Sequence, residues 1–359
     1  MKKKTIILTA AAAILAASAA FGMTWLQKPK ETAATPKFGE YQNPVFEPVF
    51  ADPSVIKGED GYYYAYGTED DWGDGHGPHV VPILRSKNLV DWKFHRDAFE
   101  VKPGWKEGGG GLWAPDISKH KDGKYYMYYS VSIWGDPNPA IGVATADSPG
   151  GPFTDQGQLF TSDSIGVDNS IDPQFFQDDD GKSYLFWGSF HGIYGIELSA
   201  DGLKTVGEKF QVADTQYEAP YVIKRDGKYY FFGSAGSCCD GENSTYHVNV
   251  GRSDSIKEPF KDAKGVSLLQ GGGTTVLAFN EKKGKNGKQF VGPGHNAIVT
   301  DAAGKDWILY HAIDADDPRL LNGATRRPLL IDAITWEKGW PTVKGKEPGN
   351  GPAPAPAVK

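Results

Sequence analysis

One short pattern recurs five times along the chain and leaves few folds open to it. It is a tight turn followed by an aromatic strand: Asp60-Gly61-Tyr62-Tyr63-Tyr64, Asp122-Gly123-Lys124-Tyr125-Tyr126, Asp180-Gly181-Lys182-Ser183-Tyr184 and Asp226-Gly227-Lys228-Tyr229-Tyr230, with a weaker copy at Ala303-Gly304-Lys305-Asp306-Trp307. Asp-Gly between apolar runs is a strong hairpin signal, because glycine accepts the positive φ that such turns require. A short strand precedes each turn, as in Pro53–Ile56, Pro115–Ser118 and Pro173–Phe176, and a third strand often follows, as in Ile141–Thr145. The turn glycines are 62, 58, 46 and 77 residues apart, room for about four short strands per unit with the surplus in loops. Repeats of this size and kind predict an all-β, five-bladed β-propeller. A β-sandwich would not repeat one unit five times. Composition agrees: 45 Gly, 24 Pro and 45 Trp, Tyr and Phe in 359 residues favour turns and pleated surfaces over helices.

Counting back nine residues from each turn glycine gives Asp52, Ala114, Asp172, Glu218 and His295. Equal offsets predict equivalent places just ahead of the first strand of each blade, so these side chains should converge at one mouth of the central channel. Three carboxylates and an imidazole gathered there would be electrostatically costly, which purely structural positions avoid. Carboxyl groups held apart, one protonated and one ionised, are the equipment of glycoside hydrolysis. Trp72, Trp113 and Trp134 would suit the apolar faces of sugars, although each also suits core packing. A net charge of −7 is a poor match for a nucleic-acid backbone, so no nucleic-acid partner is expected.

Ala51-Asp52-Pro53-Ser54, Trp113-Ala114-Pro115-Asp116, Asn169-Ser170-Ile171-Asp172-Pro173, Glu218-Ala219-Pro220-Tyr221 and Gly292-Pro293-Gly294-His295-Asn296 resemble the motifs of glycoside hydrolase family 43. Gly236-Ser237-Cys238-Cys239, Ser244-Thr245-Tyr246 and Val250-Gly251-Arg252-Ser253 resemble its arabinanase branch more narrowly. The resemblance implies a five-bladed propeller and an inverting hydrolase of α-1,5-linked L-arabinofuranose chains, with arabinan or arabino-oligosaccharides as substrate. By the same resemblance Asp52 is the general base, Glu218 the general acid and Asp172 the group that tunes the acid. Trp113, Trp134 and Gly135 match walls of the cleft, and Asn169, Ser170, Ile171, Gly188, Ser189 and Phe190 match its floor. His295 matches a histidine associated with an axial ion, usually Ca²⁺ held largely through water; no organic cofactor is implied. The alternatives are an α-L-arabinofuranosidase or β-xylosidase of the same family, and a non-catalytic carbohydrate-binding propeller. The filled carboxylate slots argue against the last.

Lys2–Lys4, an uncharged run and Ala17-Ser18-Ala19 read as a secretory signal within residues 1–27, cleaved after Ala19. An uncleaved anchor is the rival. Residues 28–42 read as a linker, 43–346 as the catalytic propeller, and 347–359 as a disordered Pro/Ala tail. The exported protein is expected to be a monomer without stable membrane association once the signal is removed. Cys238 and Cys239 read as packed thiols rather than a vicinal disulfide, since a bridge between neighbours closes almost no loop. Asp178–Gly181 reads as a hairpin turn, lacking the spacing of a calcium loop. Asp70–His79 is an insertion in the first blade that should lie near the channel mouth.

Overall fold

The Asp-Gly turns connect the first two strands in four of the repeats, and Ala303-Gly304 lies in the corresponding turn of the fifth. A computed structural model describes residues 36–257 and 259–358; the signal or anchor at 1–27, most of the linker and Lys359 lie outside them. Five antiparallel four-stranded sheets follow one another in chain order. Blade 1 comprises Ser54–Lys57, Tyr63–Tyr66, Pro82–Ser86 and Lys93–Asp97; blade 2 Gly111–Lys119, Tyr125–Ser132, Ala140–Ala146 and Thr154–Thr161. Blade 3 comprises Gln174–Gln177, Ser183–Trp187, Ile193–Leu198 and Thr205–Ala213; blade 4 Tyr217–Arg225, Lys228–Ala235, His247–Ser253 and Thr274–Leu277. Blade 5 comprises Phe290–Thr300, Asp306–Asp314, Leu329–Glu337 and Trp340–Val343. The first strand of each blade neighbours the first strands of the adjoining blades, and that of blade 5 returns to that of blade 1, so the sheets form a closed propeller with the first strands innermost.

The aromatics after the turns, paired in blades 1, 2 and 4, explain the assembly. Neighbouring residues on a strand point to opposite faces, so Tyr63 enters the core between blades 5 and 1 while Tyr64 enters that between blades 1 and 2. Tyr125 and Tyr126, and likewise Tyr229 and Tyr230, divide between consecutive seams in the same way. Each seam is therefore stocked with large rings from both sides, and burying one such side chain contributes about 1.5–3 kcal/mol.

All four strands of blade 5 come from one stretch of chain, so no strand exchange locks the ring. Closure falls to the segment ahead of blade 1. Asn43 exchanges two hydrogen bonds with the Ile331 backbone, both 3.0 Å, the Val45 N–H donates to the Leu329 carbonyl (2.8 Å), and the Phe50 N–H donates to the Arg327 carbonyl (2.8 Å).

The termini of the described chain correct the domain expectation. Residues 347–358 are ordered against the propeller. Ala353–Pro354 pairs with Glu40–Tyr41, the Ala355 N–H donates to Gly39 (3.0 Å), and the Ala357 N–H donates to Asp301 Oδ2 (3.0 Å). Proline at every second position suits an edge strand, because the missing donors face away from the pairing edge. Tyr41, placed in the expected linker, is 5% exposed and stacks edge-on against Trp307. The sulfurs of Cys238 and Cys239 are bonded to each other, against the expectation of free thiols. Both residues lie half-buried on the connection after Lys228–Ala235, outside the core that would have packed them as thiols.

Candidate active site

Within or just ahead of each inner strand one residue adopts a left-handed conformation: Asp52 (φ 55°), Ala114 (47°), Asp172 (59°), Ala219 (52°) and His295 (50°). Left-handed non-glycine residues cost about 1–3 kcal/mol each and persist only when their surroundings hold them. Here a side chain of the preceding blade catches the backbone N–H of each. Ala114 donates to Thr68 Oγ1 (2.8 Å), Asp172 to Ser130 Oγ (2.9 Å), Ala219 to Asp172 Oδ2 (3.2 Å), His295 to Ser234 Oγ (2.9 Å), and Asp52 to His311 Nδ1 (3.1 Å). The five bonds run once around the ring.

Glu218 is not a member of this set. Blade 4 turns between Arg225 and Lys228 through two residues, whereas the other blades turn through five, as between Lys57 and Tyr63. The shorter turn displaces the count by one, so the true equivalent is Ala219. Glu218 instead matches Trp113: each precedes the left-handed residue and is registered with a serine of the second strand, Glu218 with Ser234 and Trp113 with Ser130. Position and chemistry thus separate. The left-handed residues make the ring, and the residue ahead of them belongs with the cleft wall.

Asp52 sits among one fixed cation, a hydroxyl donor and two imidazoles. Arg327 Nη1 lies 3.0 Å from its Oδ1, His295 Nδ1 and His311 Nδ1 each lie 3.3 Å from the same oxygen, and Thr68 donates to Oδ2 (2.6 Å). Burial alone would raise this carboxyl, but Arg327 and the two imidazoles hold it well below the usual carboxylate range. Burial also pushes His295 down to about 4, so its ring is neutral near pH 7. Asp172 and Glu218 are both pushed upward. Burial is the largest cause for each, followed for Asp172 by the negative charge of Glu218. Glu218 accepts a hydrogen bond from Ser189 Oγ (2.8 Å) and another from the Tyr246 hydroxyl. One buried mouth therefore holds an ionised carboxylate and a coupled pair that retains a proton, the division of labour that acid–base chemistry needs.

The expected cleft residues sort into two kinds. Trp113 and Trp134 meet with ring centroids 5.8 Å apart, Trp134 is 79% exposed, and Gly135 completes its turn at φ 77°. Asn169, Ile171 and the exposed Phe190 border the carboxylates on the floor, where the Asn169 amide donates to the Ser189 carbonyl (3.1 Å) and the Gly188 N–H to the Ile171 carbonyl (2.9 Å). Ser189 is buried and committed to Glu218. Ser170 corrects the expectation that it touches sugar. It is fully buried, donates to the Val167 carbonyl (2.8 Å) and accepts from Trp187 Nε1 (3.0 Å), so it braces the floor from beneath. The Asp178–Gly181 segment is a turn, as expected.

Sequence reasoning missed Arg327, Thr68 and His311, and gave no role to Tyr246 although it stands in the Ser244-Thr245-Tyr246 motif. A signal existed for two of them. The residues seven positions after the turn glycines are Thr68, Ser130, Gly188, Ser234 and His311, four of which supply the acceptors of the ring. In blade 3 the position is Gly188, where a Cβ would lie 2.3 Å from the Gly192 carbonyl oxygen, and Asp172 supplies the missing acceptor. At His295 the protein donors do not fit a directly held Ca²⁺, which prefers oxygen ligands. Among the described residues the one group of three or more clustered His, Cys, Asp or Glu donors lies elsewhere, at His76, His79 and Asp97.

The sequence profile of Glycosyl hydrolases family 43 matches residues 41–341. An extracellular endo-α-(1→5)-L-arabinanase of Bacillus subtilis is 35% identical over 303 residues, covering 81% of this chain and 86% of that protein. An extracellular exo-α-(1→5)-L-arabinofuranosidase of Cellvibrio japonicus is 34% identical over 300 residues, covering 76% and 82%. The α-L-arabinanase of Cellvibrio cellulosa, solved in complex with arabinohexaose, superposes with a TM-score of 0.71 at 31% identity, covering 84% of this chain and 96% of that one. With its family motifs assembled around one propeller mouth, the chain belongs to glycosyl hydrolase family 43.

Proposed function

We propose that the protein hydrolyses α-1,5-L-arabinofuranosidic bonds of arabinan with inversion of configuration. The observation that carries the reading is the opposed protonation at one mouth: Asp52 held ionised by Arg327, and the Glu218–Asp172 pair held partly protonated. In this reading Asp52 takes a proton from water as that water attacks the anomeric carbon. Glu218 delivers its proton to the departing glycosidic oxygen as the bond breaks, and Asp172 keeps that proton in place by like charge. Trp113, Trp134 and Phe190 offer apolar surface to sugar rings. Inversion further requires about 6.5–9.5 Å between the Asp52 and Glu218 carboxyl groups, space for the attacking water.

Export supports the same use, because a polymer must be met outside the cell. The two relatives are named as extracellular proteins, and no helix among the described residues is long and apolar enough to cross a membrane. A monomer, with its signal cleaved after Ala19, completes the reading. An axial Ca²⁺ beside His295 would rest on water, and no step is routed through it. NMR of the first products from debranched arabinan tests the central proposal. β-Configured reducing ends are expected; α-configured products or a trapped glycosyl-enzyme would overturn it. Product lengths from the same digest decide between endo and exo action.

A further inference from the structure

The insertion in blade 1 forms a hairpin in which Asp70–Asp71 pairs with Pro78–His79. Its tip alternates glycines at 73, 75 and 77, all in the left-handed region (φ 73°, 85° and 85°). So short a hairpin has no core of its own. Yet His79 is 2% exposed, with ring centroids 4.1 Å from Trp72, 4.9 Å from Phe94 and 4.6 Å from His76, the last stacked at 11°. Carboxylates occupy both of its nitrogens. Nδ1 lies 3.1 Å from Asp97 Oδ1, and Nε2 lies 3.0 Å from Asp74 Oδ2. Donor atoms of His76, His79 and Asp97 all fall within 4.8 Å of one another.

We propose that this hairpin binds one divalent transition-metal ion of the zinc class through His76, His79 and Asp97, with Asp74 orienting the His79 ring. With its proton on Nε2, His79 donates to Asp74 and leaves the Nδ1 lone pair beside Asp97, the carboxylate–histidine–metal arrangement that fixes a ligating ring. Two imidazoles, one carboxylate and a fourth position for water form a donor set that zinc accepts and that calcium and magnesium do not favour. Ligands of a tetrahedral zinc with bonds of about 2.0–2.1 Å stand about 3.3 Å apart, close to the 3.1 Å between Asp97 Oδ1 and His79 Nδ1. His76 is exposed on the glycine tip, so it can close on the ion without disturbing the core.

The ion would pin the hairpin at a sensitive place. The hairpin starts two residues after Thr68, whose hydroxyl donates to Asp52. Asp71 and Trp72 face a cavity shared with Leu320, Leu321 and Arg326 of blade 5. The test uses the full chain, stripped with chelator and titrated with Zn²⁺ by calorimetry and with Co²⁺ by visible absorption. One equivalent and a tetrahedral Co²⁺ spectrum are expected. Replacing the exposed ligand, His76→Ala, should weaken binding about 100-fold or more, and Asp74→Asn should weaken it about 10- to 100-fold. His295→Ala should leave the equivalent in place, separating it from any axial ion. Absence of a saturable equivalent, or one that survives both His76→Ala and Asp97→Asn unchanged, would overturn the proposal and leave His79 as a hydrogen-bonded brace.

Discussion

Two layers of the same inner strands lie two residues apart, and they handle buried polarity in opposite ways. The mouth layer carries Asp52, Asp172 and His295 with Glu218 beside them. The deeper layer carries Ser54, Asp116, Gln174, Tyr221 and Ala297. The deeper layer is saturated by bonds from blade to blade. Ser54 Oγ donates to Asp116 Oδ1 (3.0 Å), the Phe175 N–H to Asp116 Oδ2 (2.8 Å), the Val222 N–H to Gln174 Oε1 (3.1 Å), and the Tyr221 hydroxyl to the Ile298 carbonyl (3.3 Å). It has one carboxyl, and that one is pushed by burial up to about 7. The mouth has three, set against one another and against a fixed guanidinium. One layer spends its polar groups on fastening blades; the other keeps them under mutual stress, where a small change in a neighbour changes who holds the proton.

Substitutions at the two layers should therefore differ in kind. The largest effect is expected at the mouth: Asp52→Ala and Glu218→Ala should each lower kcat about 10²- to 10⁴-fold. An aryl arabinoside whose leaving group needs no proton should rescue Glu218→Ala and not Asp52→Ala; equal rescue would show that the roles are wrongly divided. Next comes Arg327→Gln. As the proposed base Asp52 must be ionised, and without the guanidinium its carboxyl rises, so the acidic limb of the pH–rate profile should move up by about 1–3 units. Arg327→Lys should restore much of it. Asp172→Asn works on the other limb. As the proposed acid Glu218 acts while protonated, so losing the like charge should lower its titration and move the alkaline limb down by about one unit. An unmoved limb with a reduced rate would make Asp172 a substrate ligand only.

The smallest effect on turnover sharpens the contrast. Asp116→Asn should leave kcat within about twofold and change stability instead. The folded carboxyl titrates near 7 and an unfolded one near 3.9. Ionisation thus favours the unfolded chain increasingly as pH rises from about 4 through 7, by about 1.4 kcal/mol per unit of difference. The wild type should lose stability across that window, and the variant should be flatter by a few kcal/mol in the unfolding free energies from urea titrations at pH 4.5 and 7.5. An identical slope would mean that Asp116 is ionised and compensated within the fold.

The blades were legible because the Asp-Gly turn and the paired aromatics are local, and each copy must satisfy the same two seams. The carboxylates were legible because they keep a constant distance from those turns. Even so, the count reached Glu218 through the two-residue turn of blade 4, and the family motif identified that residue more soundly than the spacing did. Arg327 was not legible from spacing, since it lies on the long connection between the second and third strands of blade 5, where no repeat fixes a register. The paired terminal strand was hidden for another reason: Ala353 and Pro354 have little side chain to pattern, and backbone pairing leaves no mark on composition.

The seam between the first and last blades has a consequence for the life of each molecule. Asp52 stands on one side of it, and Arg327, His295 and His311 stand on the other, some 240–275 residues further along the chain. Contacts so distant in sequence form late, because the chain between them must first be gathered in. Until they form, Asp52 lacks the cation that keeps it ionised at low pH and the imidazole that holds its backbone. A growing, truncated or partly opened chain can thus possess four finished blades and still lack a competent mouth. Hydrolysis begins only when synthesis and folding have both run to completion, so the appearance of activity during refolding marks the closing of the ring.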